Sequence, residues 1–253
     1  MAASEKGNTA DIFITGAGDY HGRDRLMCDI AGSHVRDGGW AIRPQQSVNY
    51  VSCHNGHTLA DLVGGDKRRV FLGALLVLTS QGIPMLGEGT ELLYSKQGHD
   101  NSYDRRDLNQ IDWDNALLHQ DLVTAVGKLI ALRQRMPHFR YTTHLRKRHV
   151  HNRRWDIDWI FPTGHPHEDN QNAIGFVIRP PRSPFVWGRQ RRRLIVLLNG
   201  STRGCNFRLP AGSCQLIVDS ERIKVDERGI RGVPHARDDY HVQPGVGVVL
   251  ARA

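Results

Sequence analysis

The run Asp66-Lys67-Arg68-Arg69-Val70-Phe71-Leu72-Gly73-Ala74-Leu75-Leu76-Val77-Leu78-Thr79 limits the possible folds more than any other feature of the sequence. It opens on an acidic residue and is then apolar almost all round, the pattern of a helix buried over most of its surface. Ahead of it lies Ser47-Val48-Asn49-Tyr50-Val51-Ser52-Cys53, which alternates and is β-branched or aromatic at several places, as a buried strand would be. Behind it, past a Gln81-Gly82 turn, Ile83-Pro84-Met85-Leu86 is a short apolar strand. Strand, helix and strand with a crossover of this length make a β/α unit, which places the two strands parallel in one sheet.

The flanking sequence has different periods. A loop rich in turn residues runs from Gly87 to Asn115, and a second helix is expected from about His119 to Arg135. Leu122, Val126, Leu129, Ile130 and Leu132 give that helix its stripe, and Pro137 stops it. Beyond Phe139, short strand candidates recur between Gly, Pro and Asn turns: 155–161, 173–178, 194–198, 206–209, 215–218 and 246–250. That spacing predicts an all-β domain of sandwich type. Residues 1–45 are polar and glycine-rich and read as irregular, with a short helix around Arg23 to Ala31 broken at Gly38-Gly39. The expected division is an irregular stretch at 1–45, an α/β part at 46–138 and an all-β domain at 139–253.

Composition narrows the function classes. No apolar run approaches the roughly 20 residues of a membrane-spanning helix, and the N-terminus lacks the cationic start and apolar core of a signal peptide. A soluble cytoplasmic protein is therefore expected. The net charge of +8 suggests a polyanion partner, but 28 of the 34 cations are Arg, a skew that a GC-rich coding sequence produces unaided. The densest runs, Arg146-Lys147-Arg148-His149 and Arg189-Gln190-Arg191-Arg192-Arg193, stand beside expected strands and lack the interleaved aromatics of a single-strand binding platform. They read as solvated strand ends, which makes nucleic acid the least favoured partner. Four Cys without a Cys-x-x-Cys pair are too few for a disulfide scaffold. Cys205 and Cys214 flank a Pro-Ala-Gly turn where they would face each other across a hairpin; buried thiols are expected, and the sequence leaves their pairing open. The 14 His show no His-Glu-x-x-His motif and no completing carboxylate, so they read as surface residues, with no metal and no cofactor expected.

Several segments together resemble the debranching branch of the α-amylase glycoside hydrolase family, which includes pullulanases, isoamylases and glycogen debranching enzymes. Val48-Asn49-Tyr50-Val51-Ser52-Cys53-His54-Asn55-Gly56-His57-Thr58-Leu59 is similar to the seventh barrel strand of that family. The block from Leu78 to Leu92, with Gly82-Ile83-Pro84 and Gly87-Glu88-Gly89-Thr90-Glu91, resembles the eighth. Ser95-Lys96-Gln97-Gly98, Asn101-Ser102-Tyr103 and Leu108-Asn109-Gln110-Ile111-Asp112-Trp113 look like pullulanases in particular, as does Gly127 to Arg140. The likeness is close over 47–140, weaker in the β-rich part and faint before 45.

The resemblance implies the last two β/α units of a (β/α)8 TIM barrel followed by a C-terminal β-sandwich, and a substrate with α-1,6 branches such as glycogen, starch or pullulan. It implies a substrate-binding role for His54, and for Asn101 and Tyr103 a place along the cleft where a Tyr ring can stack on a sugar. Glu91 and the Asp112-Trp113 pair read as loop anchors. At Asn55 the family has an Asp that supports the transition state; Asn keeps the shape and loses the charge. Retaining hydrolysis needs a nucleophile and a proton donor about 5 Å apart, and no segment of this sequence resembles those that carry them in the family. The chain alone is thus expected to be inactive, with a separate chain as a possible source of the rest of the barrel. The alternatives are a non-catalytic glucan-binding or scaffold module and a basic nucleic-acid binder.

Overall fold

The structure is a computed structural model that describes residues 9–147, 155–163, 171–182, 191–220, 223, 225, 226, 229–235 and 237–252. Residues 9–45 are more regular than their composition suggests: α1 (Thr9–Thr15) and α2 (Tyr20–Ile30) are helical. The Asp19 carboxylate caps α2 by accepting from Gly22 N–H at 2.7 Å. Phe13, Ile14, Leu26 and Ile30 are buried against the rest of the protein, so tertiary packing supplies the stability that such short helices lack alone.

β1 (Val48–Asn49) and β2 (Ile83–Pro84) pair in parallel, in the register Val48↔Ile83 and Asn49↔Pro84. They are shorter than their apolar patterns suggest, and no third strand joins them among the described residues. Val48, Tyr50, Ile83 and Met85 alternate onto one exposed face of the pair, whereas Val51 is buried. The crossover holds α3 (Leu59–Leu62) and α4 (Lys67–Thr79). Asp66 supplies the acidic start as the N-cap of α4, accepting from Arg68 N–H at 2.9 Å and Arg69 N–H at 3.4 Å. Val70 to Thr79 are all buried, as the apolar pattern requires.

The turn from α4 into β2 is tight. Gly82 has φ +94°, and a Cβ there would lie 2.6 Å from the Ser47 carbonyl oxygen, so only glycine fits. α5 (Arg106–Asn109) and α6 (Asn115–Leu118) are single turns that lead into α7 (Gln120–Arg135). Arg133 of α7 reaches back to the end of α4. Its guanidinium donates to Leu78 O at 2.9 Å, Ser80 O at 2.7 Å and Gly82 O at 2.7 Å. It thereby satisfies carbonyls that a helix end leaves orphaned.

The remaining strands are β3 (Ile157–Ile160), β4 (Ala173–Ile178), β5 (Arg193–Asn199), β6 (Cys205–Arg208), β7 (Cys214–Val218), β8 (Val225–Asp226), β9 (Gly229–Ile230), β10 (Val233–His235), β11 (Asp239–Val242) and β12 (Val246–Arg252). Six of them form a sheet in the order β10-β7-β12-β5-β4-β3, each neighbour antiparallel. β11 and β6 make a separate antiparallel ladder, and β8 pairs with β9. Along β5 the side chains divide between two cores. Leu194, Val196 and Leu198 join a cluster with Ile14, Leu72, Leu75 and Leu129, while Ile195 and Leu197 join Phe207 and Val242 of the β6–β11 ladder. The central sheet is thus buried on both faces, by helices on one and by strands on the other, and one core runs across residue 138.

Polar groups stitch the same junction. Arg69 of α4 donates to Gly200 O at 2.8 Å, Ser201 O at 3.2 Å and Ile14 O. The amide of Asn172 links Gly18 N–H at 2.7 Å and Gly16 O at 3.0 Å. A Cβ on Gly247 of β12 would overlap Leu75 Cδ2, so α4 lies directly against β12. At the end of β5, fully buried Asn199 donates to Arg203 O at 2.8 Å, Val242 O at 3.0 Å and Gln243 O at 3.2 Å. Its Oδ1 accepts from Ser201 Oγ at 2.6 Å.

The histidines are not all superficial. His34 is buried, and its ring centroid lies 4.1 Å from that of His144, which in turn contacts Asp37 Oδ2 at 3.0 Å. His138 is fully buried: Nε2–H donates to Arg192 O at 2.6 Å, and Nδ1 has no partner among the described residues. Burial pushes its pKa down to about 4, so it is neutral near pH 7. Cys205 and Cys214 are both buried, and no disulfide joins them. No helix among the described residues is long and apolar enough to cross a membrane.

Candidate functional site

Parallel strands end at the same edge, and in α/β folds the loops beyond those carboxyl ends form the binding crevice. Here β1 continues into Ser52-Cys53-His54-Asn55 and β2 into Met85-Leu86-Gly87-Glu88, and both segments line one open cleft of about 510 Å³. Backbone bonds fix the two strands side by side up to its mouth: Ile83 N–H donates to Ser47 O at 2.8 Å and Met85 N–H to Asn49 O at 2.9 Å.

The opposite wall comes from residues 94–111, a stretch with little regular structure that is tied down by side chains. The Asp61 carboxylate at the end of α3 accepts from Ser95 Oγ and from Lys96 N–H at 2.8 Å. Burial opposes ionisation of Asp61, but hydrogen bonds from Ser95, Lys96 and Thr58 outweigh it, and the pKa falls below the usual carboxylate range. Tyr94 Oη donates to Leu108 O at 2.6 Å, and Ser102 Oγ to Asn109 Oδ1 at 2.7 Å. Burial raises the Tyr94 pKa, assisted by the charges of Glu88 and Asp61.

All four residues named from the sequence line this cleft: His54, Asn55, Asn101 and Tyr103. They come from two segments nearly fifty residues apart and meet only because the 94–111 wall folds over the ends of the strands. Tyr103 presents its ring to solvent, 86% exposed. Glu91 is half-buried and does not line the cleft. Asp112 caps a turn by accepting from Asp114 N–H at 3.0 Å. Trp113 differs from the expected anchor: it is 71% exposed, because the loop turns its indole away from the core.

Residues that motif reading alone did not single out share the lining, among them Ser52, Glu88, Tyr94, Lys96 and Asp100. Hydroxyl, amide, imidazole and carboxylate groups around an exposed aromatic ring suit a polyhydroxylated ligand, with hydrogen bonds at the walls and stacking at the rim. Asn55 brings both a donor and an acceptor but no charge. Among the described residues no three His, Cys, Asp or Glu are grouped to hold a metal ion.

In the first basic run both described cations are paired with carboxylates, and in the second Arg192 meets a neutral amide. Arg146 makes two bonds to the Asp156 carboxylate, at 2.7 and 2.8 Å, and Lys147 pairs with Asp37 at 2.9 Å. Arg192 donates to Gln215 Oε1 at 2.7 Å. Arg148, His149, Arg189 and Gln190 lie outside the described residues.

No protein-family model matches the sequence. The pullulanase of Bacillus subtilis strain 168 is 36% identical over 153 residues, covering 53% of this chain and 21% of that protein. The glycogen debranching enzyme of Yersinia enterocolitica is 25% identical over 222 residues, covering 70% of this chain and 31% of that protein. The structure of a pullulanase from Anoxybacillus sp. LM18-11 in complex with maltotetraose superposes with a TM-score of 0.71 at 25% identity, covering 98% of this chain and 33% of that one. The chain therefore spans between about a fifth and a third of the relatives it matches.

Proposed function

We propose that this chain, whose homologues and structural neighbours are pullulanases and glycogen debranching enzymes of the α-amylase glycoside hydrolase family, carries one side of an α-glucan cleft in an α-1,6-glucosidic debranching protein. In this reading β1 and β2 stand as the seventh and eighth strands of a (β/α)8 barrel, residues 46–138 belong to that barrel, and 139–253 form the sandwich that follows it. One observation carries the proposal: His54, Asn55, Asn101 and Tyr103 converge on a single cleft at the carboxyl ends of two parallel strands. The Anoxybacillus pullulanase structure holds maltotetraose, and a linear or branched α-glucan is the ligand proposed here.

Within these residues the site binds and does not cut. Hydrolysis with retention needs a nucleophile and an acid, and those segments would come from further polypeptide, of this chain or another. At Asn55 the charge that would stabilise an oxocarbenium-like transition state is absent, a loss worth several kcal/mol in the barrier. A non-catalytic glucan-binding module is the reading this substitution favours second. The neutralised Arg146 and Lys147 argue against a nucleic-acid role.

Affinity electrophoresis of the 253-residue chain through gels containing pullulan or glycogen tests the binding half of the proposal. Retardation that Tyr103→Ala abolishes is expected, and unretarded migration would refute it. Reducing-end assays on the same polysaccharides should read no higher than buffer. Turnover proportional to protein and surviving repurification would refute the non-catalytic half.

A further inference from the structure

Lys96 has surroundings unlike those of an ordinary surface lysine. The residue is only 5% exposed, yet it lines the cleft with His54, Asn55, Glu88 and Asp100. An ammonium carries three donors, and the hydrogen bond recorded for this one is a long one, 3.4 Å to the carbonyl oxygen of Asp100. Among the described residues it takes part in no ion pair. A buried charge with so little compensation is costly unless something else accepts from it.

The backbone holds it in place. Asp61 accepts from the Lys96 N–H at 2.8 Å, and Ser95 Oγ accepts from Gln97 N–H at 2.9 Å. Gln97 and Gly98 both have positive φ, 54° and 80°, which turns the chain sharply just after Lys96. The backbone is thus anchored, and the ammonium lies beside Asp100, another residue of the cleft lining.

We propose that Lys96 is a specificity-determining residue of the glucan cleft, its ammonium donating to adjacent hydroxyls of one glucosyl unit. The proposal rests on the glucan reading above. A sugar with vicinal hydroxyls offers two acceptors at the spacing one ammonium can span, and hydrogen bonds to a charged donor are among the stronger ones. An apolar or hydroxyl-poor ligand would leave the charge stranded and be rejected.

The test uses maltotetraose and the whole chain. Lys96→Met keeps the packed stem and removes the donors, and should weaken maltotetraose binding about tenfold by calorimetry with little change in Tm. In parallel, the unsubstituted chain is reductively methylated with and without maltotetraose, and labelling is read at each lysine by mass spectrometry. Lys96 should be protected by the sugar while Lys67 and Lys128 are not. Unchanged affinity in Lys96→Met, or labelling of Lys96 indifferent to sugar, overturns the assignment of Lys96 alone, provided Tyr103→Ala still loses binding. Absence of any binding by the unsubstituted chain overturns the glucan reading itself and this proposal with it. If Lys96→Met does not fold, the protection experiment decides.

Discussion

β12 is paired with β5 at seven successive positions and with β7 on its other side, whereas β1 and β2 share two paired positions. The sheet region satisfies its backbone from within. The segment that carries the cleft is satisfied in part from outside, by side chains reaching in from elsewhere, Arg133 at the turn into β2 and Asp61 at the cleft wall, while Gln81 of that turn reaches out to His138 O and Tyr141 N–H at 2.9 and 3.0 Å. The first kind of structure fails as a unit. The second fails one side chain at a time, which allows a wall to move while the core stays folded.

The largest effect expected from this contrast is at Arg133. Arg133→Met keeps the volume but strands the carbonyls of Leu78, Ser80 and Gly82, and should cost about 3 kcal/mol of global stability in urea unfolding. Burial has already lowered its pKa to about 10, well above neutral pH, so the charge is present where it is needed. A loss below about 1 kcal/mol would mean those carbonyls find other partners and the contrast between regions is false.

His138 joins the two regions and should give the next effect. Its folded pKa of about 4 lies below the ordinary value of 6.5, so between those limits the unfolded chain binds more proton. Stability is complete above pH 6.5 and drains away as pH falls toward 4, by up to about 3 kcal/mol. The carboxylates with depressed pKa, Asp37, Asp61 and Asp156, lose their contribution only at lower pH, below the usual 3.8. Unfolding curves for His138→Gln should be flatter across pH 4 to 6.5; equal slopes would place the titrating group elsewhere.

The smallest and most local effect is expected at Asp61. Asp61→Asn weakens the clasp on Ser95 and Lys96 by about 1 kcal/mol. Amide exchange at residues 94–100 should quicken about fivefold with Tm nearly unchanged. Matching acceleration in β5 would show that the wall and the sheet unfold together.

Much of this was legible in the sequence for reasons that differ by region. α4 announced itself through Asp66 and an uninterrupted apolar run, and the strands at 173–178 and 194–198 through apolar runs between turns. α1 was not legible, because seven residues carry too little periodicity and its burial depends on α4. The pattern at 47–53 overstated its strand, since alternation marks which face is apolar and not whether a neighbour pairs with it. At the cleft, motif resemblance located His54, Asn55, Asn101 and Tyr103. The clasp by Asp61 and the burial of Lys96 depend on contacts 35 residues apart and left no local signal.

The double burial of β5 has a consequence for how the strand finds its place. Where one face of a strand meets water, sliding by one residue exposes the core and is punished at once. β5 is greasy on both sides, so a slipped alignment with β4 or β12 would still look acceptable to hydrophobicity alone. Asn199 ends that ambiguity: its amide reaches the carbonyls of Val242 and Gln243, just ahead of β12, only when the strand is seated in its native alignment. A single buried amide thereby acts as an indexing stop, and mispaired chains, not merely less stable ones, are the expected product of removing it.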